Sequence, residues 1–170
     1  MAAQAARYRT ALGHLRLNVR DVRRATEFYT RVIGLELIER GGDGYAFVSR
    51  GRAHHMVALF KVDRTVRSGT SGTTGTTGVD HVAFEVRGAR AFARAFQALT
   101  AAGVPLTTVN NGISWSIYFQ DPDGNHLEIF RDMRREPGGQ KYWRGVRKPL
   151  REDRILAPLG RATARRRGRG

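Results

Sequence analysis

Residues 113–130 read Ile-Ser-Trp-Ser-Ile-Tyr-Phe-Gln-Asp-Pro-Asp-Gly-Asn-His-Leu-Glu-Ile-Phe. Two runs rich in β-branched and aromatic residues flank a turn at 121–124, Asp-Pro-Asp-Gly. Proline presets φ at the second position of a turn, and glycine tolerates the positive φ that many turns require. The stretch therefore predicts a β-hairpin with its turn at 121–124.

Glu128 is the unusual residue of this hairpin, because it lies between Leu127 and Ile129 in an otherwise apolar run. A carboxylate in such a strand is costly unless a positive group meets it, and a metal ion is one such group. Folding the hairpin about its turn places Tyr118 roughly opposite Glu128. The alternative is an edge strand on which Glu128 faces water.

The composition predicts one compact domain, since 170 residues with 41% hydrophobic content can bury one substantial core. The chain has no cysteine, which excludes disulfides and thiolate metal sites. Residues 1–12 lack the apolar segment of a signal peptide, and no apolar run approaches the length of a transmembrane helix. A cytoplasmic protein without a membrane partner is the expectation.

The net charge of +15 is concentrated at one end of the chain. Residues 131–170 hold 14 Lys and Arg against 4 Asp and Glu, which accounts for ten of the fifteen charges. The run Arg165-Arg-Arg-Gly-Arg169 is typical of a disordered extension rather than of a folded groove. We therefore expect incidental polyanion binding at low salt but no dedicated nucleic-acid partner.

The chain contains an internal repeat in which each copy reads as strand, helix and three strands. Each copy opens with a histidine and alternating apolar residues, at 13–20 and at 80–86. The predicted helices are 22–33, closed by Gly34, and 89–102, closed by Gly103. The predicted strands that follow them are 35–39, 45–49 and 55–62 in the first copy, and 106–109, 113–119 and 126–130 in the second.

One such copy leaves a sheet face unburied, so two must pair to complete a core. The predicted fold is α+β, with two paired βαβββ modules that form an open, cupped mixed β-sheet around a metal site. The expected organisation is an N-terminal extension (1–10), a domain (11–132) with modules 11–62 and 79–132, and a basic C-terminal arm and tail (133–170). The Gly/Thr-rich connector 63–78 is expected to be a flexible link or a surface loop.

The candidate metal ligands occupy matched positions in the repeat. His14 and His81 open the first strand of their copies, and Glu128 lies on the last strand of the second. A single histidine at a strand start is more often a surface residue. Two histidines at one repeat position together with a strand-embedded glutamate match the 2-His-1-carboxylate triad of Fe(II) oxygenases.

These motifs resemble the vicinal oxygen chelate superfamily, over about residues 11–132. The similar segments are Gly13-His14-Leu-Arg-Leu-Asn-Val, Asp80-His81-Val-Ala-Phe, and the run from Tyr118 through Asp-Pro-Asp-Gly-Asn-His-Leu to Glu128. The superfamily includes glyoxalase I, fosfomycin-resistance transferases, bleomycin-binding proteins and extradiol ring-cleaving dioxygenases. The resemblance implies that His14, His81 and Glu128 bind a divalent metal.

His55 favours the extradiol branch of this superfamily. Superposing Gly51 on Gly124 places His55 at the repeat position of Glu128, the fourth corner of the site. The run His55-Met-Val-Ala58 resembles a motif in which extradiol enzymes carry a catalytic histidine that does not bind the metal. Tyr118, ten residues before Glu128, also matches that branch. His55 as a fourth ligand or a structural residue stays open, and neighbouring His54 is expected to point away.

The resemblance implies an extradiol dioxygenase that opens a catechol-type ring with O2 and Fe(II), or alternatively Mn(II). His55 would accept and return a substrate proton, and Tyr118 would hydrogen-bond the bound substrate. The chain departs from the extradiol branch in two ways. It has Val109 where many such enzymes have a histidine, and it has one repeat pair where they often have a duplicated domain. The alternatives are a glyoxalase-like enzyme, a thiol transferase, which Arg16 disfavours, and a bleomycin-type binding protein.

The C-terminal segment carries further candidate contacts. Tyr142 and Trp143, like Trp115, either line a pocket or serve in packing. The segment around them is expected to lie over the body of the protein or over a partner subunit, and residues 155–159 offer one apolar anchor. No stable contact is expected beyond Arg161. A homodimer is implied by the resemblance alone.

Overall fold

The computed structural model describes residues 12–51, 55–63 and 79–167, with side chains up to residue 160. Its first module forms a four-stranded sheet in the order β1-β4-β3-β2. Strands β1 and β4 are parallel, and the other pairs are antiparallel. The elements of this module are β1 (Leu15–Val19), α1 (Val22–Arg31), β2 (Glu36–Gly41), β3 (Tyr45–Ser49) and β4 (Val57–Lys61).

The second module repeats this plan and adds a strand from the C-terminal segment. Its sheet has the order β5-β8-β7-β6-β9, again with one parallel pair, β5 and β8. The fold is thus α+β with mixed sheets, as predicted. The elements are β5 (Val82–Glu85), α2 (Ala89–Ala101), β6 (Thr107–Asn110), β7 (Ser114–Gln120), β8 (His126–Asp132), β9 (Lys148–Pro149) and α3 (Glu152–Arg167).

The helix boundaries follow from local chemistry. The Asp21 carboxylate accepts a hydrogen bond of 3.0 Å from the Arg24 amide and caps α1. Beyond the last turn, Gly34 adopts φ of +83°, a conformation that residues with a Cβ rarely adopt. Both predicted helices therefore end within two residues of their predicted ends.

Each sheet buries one face against helices and leaves the other for the site. On β8, Leu127 and Ile129 point into the core, whereas Glu128 and Phe130 point to the opposite face. Helix α1 packs on β3 and β4, and α2 packs on β8. The largest fully buried side chains of this core are Tyr29, Phe92, Leu59, Leu99, Ile117, Leu127, Ile129 and Ile155.

The two modules are joined through the predicted 121–124 turn. The buried Asp121 carboxylate accepts a hydrogen bond of 3.0 Å from the Tyr29 hydroxyl on α1. Arg20 and Arg24 of the first module pair with the Asp123 carboxylate at 2.9 and 3.2 Å. Within the described ranges no strand of one sheet pairs with a strand of the other, so the predicted single cupped sheet consists of two sheets.

The C-terminal segment is more ordered than its composition indicates. An arm segment, residues 133–150, returns to the second sheet and supplies β9 at its edge. Helix α3 then packs on α2 and buries Ile155, the predicted apolar anchor. The basic run 165–169, expected to be a disordered extension, belongs to this helix as far as Arg167, and Glu152 and Asp153 in the first turn favour the helix.

Some expectations concern parts of the chain outside the described residues. These are the N-terminal extension, most of the connector, and His54. Among the described helices, each is too short or too polar to cross a bilayer.

The Tyr29–Asp121 contact predicts a specific pH dependence of stability. Burial, followed by the Asp121 carboxylate, raises the pKa of Tyr29 above its usual 10. The folded protein therefore keeps this proton while the unfolded chain loses it. The contribution to stability is complete below pH about 10 and falls by up to about 1.4 kcal/mol per pH unit above it.

Tyr29→Phe should lower the free energy of unfolding by about 1 kcal/mol at pH 8 and weaken its decline between pH 10 and 11. Urea denaturation at these pH values measures both effects. Tyr142→Phe, at an exposed tyrosine, is the matched control. An unchanged alkaline decline in Tyr29→Phe would show that this hydroxyl does not couple the modules.

Candidate functional site

Glu128 and Tyr118 face each other on the open side of the second sheet. They are direct partners in the antiparallel pairing of β7 and β8, so their side chains share one face. His81 precedes β5, which pairs with β8 on its other side, and its ring lies edge-on to Tyr118 with centroids 5.6 Å apart. The predicted proximity of these three residues is therefore observed.

A chain of polar contacts links His81 to two carboxylates. Its Nε2 lies 2.9 Å from Glu128 Oε2, and its Nδ1 lies 2.7 Å from Asp80 Oδ2. Glu128 is buried and Asp80 is largely exposed. A carboxylate on the far nitrogen fixes the tautomer and orientation of a metal-binding imidazole. Sequence reasoning missed Asp80, although its position next to a predicted ligand was a usable signal.

The His81–Glu128 pair fits two adjacent positions around one divalent ion. Nitrogen and oxygen ligands bind such ions at about 2.0–2.2 Å, and two of them at a right angle lie about 3 Å apart. The observed 2.9 Å agrees with this separation. Asp80 supplies the outer carboxylate that such a histidine commonly has. The residues present in this half of the site therefore fit a metal.

His14, the third predicted ligand, lies with His55 on the first module instead. Their ring centroids are 4.4 Å apart, and the His55 ring stacks on Phe47 at 4.5 Å. In the part of the chain that the structure describes, no three His, Asp or Glu side chains form a group that could hold a metal. One chain thus presents two half-sites, defined here as His14 with His55, and His81 with Glu128.

The strand register corrects the predicted position of His55. Ala83 pairs with Glu128 in the second module, and the matching pair in the first is Arg16 with Ala58. The repeat position of Glu128 is therefore Ala58, and His55 lies before β4 begins. Because alanine has no donor atom, the fourth corner of the site offers no ligand.

A polar network holds Tyr118 and was not predicted from the sequence. The buried Asn111 amide donates to Ser116 Oγ at 3.0 Å and to the Tyr118 hydroxyl at 3.4 Å. The Arg147 guanidinium lies over the Tyr118 ring, 5.3 Å from its centroid. The hydroxyl of Tyr118 is thus oriented from one side, and its ring faces a positive charge on the other.

The arm segment borders an open pocket of about 420 Å³ beside Glu128. Tyr142 and Trp143 of the arm line it, which fulfils one of the two roles left open for them. Trp115 does not line this pocket, because it lies next to Arg131 and Arg154 and packs against the core. The lining residues are Ile113, Ser114, Glu128, Phe130, Asp132, Arg134, Lys141, Tyr142 and Trp143.

Comparison with protein families gives one match that covers most of the chain. The model of the Glyoxalase/Bleomycin resistance protein/Dioxygenase superfamily matches residues 11–129. Among solved structures, a glyoxalase/dioxygenase from Nostoc punctiforme shares 22% identity at a TM-score of 0.60, over 72% of this chain and 90% of that one. Lactoylglutathione lyase from Agrobacterium tumefaciens shares 24% at a TM-score of 0.55, over 72% and 94%.

Curated relatives differ in their named activities. Catechol-2,3-dioxygenase of Bacillus subtilis (strain 168) is 23% identical over 74% of this chain and 43% of that protein. Biphenyl-2,3-diol 1,2-dioxygenase 2 of Rhodococcus globerulus is 25% identical over 61% and 53%. Glutathione transferase FosA of Serratia marcescens is 31% identical over 70% and 79%. The chain thus spans about half the length of the two dioxygenases.

Proposed function

Because this chain belongs to the Glyoxalase/Bleomycin resistance protein/Dioxygenase superfamily, we propose that it cleaves the ring of a catechol-type diol, as an extradiol dioxygenase using Fe(II) and O2. The observation that carries this proposal is Ala58 at the fourth corner. A site with His14, His81 and Glu128 but no fourth ligand leaves three positions of an octahedral shell open. A diol that binds through both of its oxygens would need two of these positions, and O2 would need the third.

The residues of the second half-site would hold the metal and the substrate. His81 and Glu128 supply two ligand atoms, and Asp80 keeps His81 in the tautomer that leaves Nε2 free to bind. When bound, Fe(II) supplies Lewis acidity, which lowers the pKa of a coordinated phenol, and a site for O2. The Tyr118 hydroxyl, oriented by Asn111, would donate a hydrogen bond to a substrate oxygen.

His55 would act as the general base toward the diol. Its ring centroid lies 4.4 Å from that of His14. If His14 binds the metal, His55 would therefore lie beside the substrate bound to that metal. Stacking on Phe47 fixes the imidazole plane. An imidazole titrates near neutrality and can accept a phenolic proton and return it later.

Completion of the site requires His14 to meet His81 and Glu128. We propose that a second copy of the chain supplies it, so that each site combines the first half-site of one subunit with the second half-site of its partner. A twofold dimer would form two equivalent sites in this way. The absence, among the described residues of one chain, of any group of three such side chains that could hold a metal supports this arrangement.

A glutathione transferase is the second candidate. The transferase from Serratia marcescens has the higher identity, 31%, and this chain covers 79% of it. Arg16, two residues after His14, departs from the threonine pattern of that branch. The two candidates differ in whether the reaction consumes oxygen or a thiol.

The first experiment tests the reaction class. With Fe(II) in air, purified protein should convert at least one catechol to a yellow ring-opened product, with one O2 consumed per turnover. Absorbance and an oxygen electrode measure both. Glutathione with fosfomycin or with methylglyoxal should give no turnover, and turnover there without oxygen uptake would assign the protein to the transferase or glyoxalase branch.

A second experiment tests the role of His55. His55→Gln should retain iron and catechol binding, yet its kcat should fall by about 10²–10⁴-fold, because a general base is lost. His126→Gln is the control, since His126 instead contacts Gln120 at 2.8 Å. Loss of iron in His55→Gln would make His55 a ligand, and an unchanged rate would make it structural.

A third experiment tests whether the site is shared between subunits. His14→Ala and Glu128→Ala should each lose metal and activity. After mixing under conditions that exchange subunits, mixed dimers should contain one intact site each, restoring about a quarter of wild-type sites and activity.

The matched control mixes His81→Ala with Glu128→Ala, which damage the same half-site and should restore nothing. Metal analysis and oxygen uptake provide two readouts. Absence of restoration with His14→Ala, despite demonstrated subunit exchange, would show that the site forms within one chain.

A further inference from the structure

The arm segment is held at both ends across the open face of the second sheet. At its start, the backbone N–H of Met133 donates to the Ile113 carbonyl at 2.8 Å, and farther along the backbone N–H of Gln140 donates to the Gly112 carbonyl at 3.0 Å. At its end, Leu150 is buried, and its carbonyl accepts a hydrogen bond of 2.7 Å from Thr108 Oγ1. Between these anchoring bonds, Lys141, Tyr142 and Trp143 line one wall of the pocket.

The aromatic residues of this wall are positioned rather than loose. Trp143 Nε1 donates to the Val146 carbonyl at 2.7 Å, which orients the indole. Arg144 and Gly145 between them both have positive φ, 51° and 72°, as in a tight type I′ turn. Tyr142 and Trp143 nevertheless remain 59% and 53% exposed, so their faces are available to a ligand.

The charges that line the pocket leave one cation uncompensated. Asp132 accepts hydrogen bonds from Arg134 Nε and Nη2 at 3.0 and 2.6 Å, and this pairing lowers the pKa of Asp132 to about 2. Glu128 contacts His81 Nε2 at 2.9 Å. Lys141 lies over the Tyr142 ring at 5.3 Å and has no carboxylate partner among the described residues.

A second cation faces the same region from the end of the arm. Arg147 lies over Tyr118, the cross-strand partner of Glu128, and it too forms no ion pair with a described carboxylate. The pocket thus has the Glu128 carboxylate at one end, aromatic walls and Lys141 in its lining, with Arg147 nearby over Tyr118. Its volume of about 420 Å³ suits a ligand with a single substituted ring.

We propose that the arm segment forms the specificity wall of the site and that the substrate is an aromatic ring bearing a carboxylate, which Lys141 recognises with support from Arg147. The ring packs against Tyr142 and Trp143, and Phe130 lies beneath it. The diol then points toward Glu128. This inference rests on the proposed function for the diol end only, because recognition of the carboxylate requires neither metal nor oxygen.

Binding of ligands without a diol tests the inference independently of ring cleavage. Benzoate and benzamide have nearly the same shape and differ in charge, whereas acetate has the charge without the ring. Calorimetry and quenching of Trp143 fluorescence in a Trp115→Phe background measure their affinities. Wild-type protein should bind benzoate at least about tenfold more tightly than benzamide, as expected for a charge-assisted hydrogen bond, and acetate should bind weakly.

Lys141→Met keeps the apolar stem and removes the charge, so it should abolish the preference for benzoate, and Lys141→Glu should reverse it. Lys148→Met is the matched control, because it removes the same charge from β9 outside the pocket lining. It should retain the preference.

If Lys141→Met and Lys148→Met lose the preference for benzoate equally, the effect is due to net charge and the proposal is overturned. Equal binding of benzoate and benzamide by the wild type would also overturn it. Cleavage of neutral catechols without any preference for carboxylated ones would support the dioxygenase function and contradict carboxylate recognition by the arm segment. Benzoate recognition through Lys141 without any ring cleavage would support carboxylate recognition and contradict the dioxygenase function.

Discussion

The buried carboxylate of Asp121 is the constraint on which the arrangement of this protein depends. It accepts hydrogen bonds from the Tyr29 hydroxyl, the Asp123 and Asn125 amides and the Asn125 side chain, at 3.0, 2.9, 2.9 and 2.8 Å. A buried ion is tolerated when its lone pairs are satisfied in this way. The same four bonds close the hairpin turn and attach helix α1 of the first module to the second. Turn geometry and module docking therefore have a common cause.

Above this junction, the two modules share a scaffold but differ in what covers their open faces. On the second sheet, Glu128 is only 7% exposed although it lies on the side away from the core, and Tyr142 and Trp143 of the arm segment line the pocket beside it. On the first sheet, His14 and Arg16 remain exposed, and Arg16 lies over the ring of Phe60 at 4.0 Å. The two open faces therefore differ in exposure: Glu128 is buried on the second sheet, whereas His14 and Arg16 on the first face solvent.

Local signals made most of the fold predictable from the sequence. The Asp-Pro-Asp-Gly turn, the Asp21 cap and the glycine after α1 act within a few residues, so the hairpin and helices were located almost correctly. The pairing of Tyr118 with Glu128 follows directly from the turn. The position of His81 beside Glu128 required the repeat as well, because these residues are 47 positions apart.

The errors arose where long-range pairing overrides local spacing. Counting from Gly51 placed His55 at the fourth corner, but the interval from Gly51 to Ala58 is three residues longer than the interval from Gly124 to Glu128. The register of β4 is set by its parallel pairing with β1, which the sequence does not reveal. Strand β9 and helix α3 were missed for a similar reason, since their partners β6 and α2 lie far back in the chain.

With Ala58 rather than His55 at the fourth corner, the proposed metal site keeps more open positions. A histidine at the fourth corner would have competed for the metal, whereas alanine leaves that direction open for substrate or oxygen. His55 instead lies beside the predicted ligand His14, with their ring centroids 4.4 Å apart. The repeat thus keeps the backbone plan while the side chains diverge: Ala58 stands at the repeat position of Glu128, and His55 lies in the loop before β4.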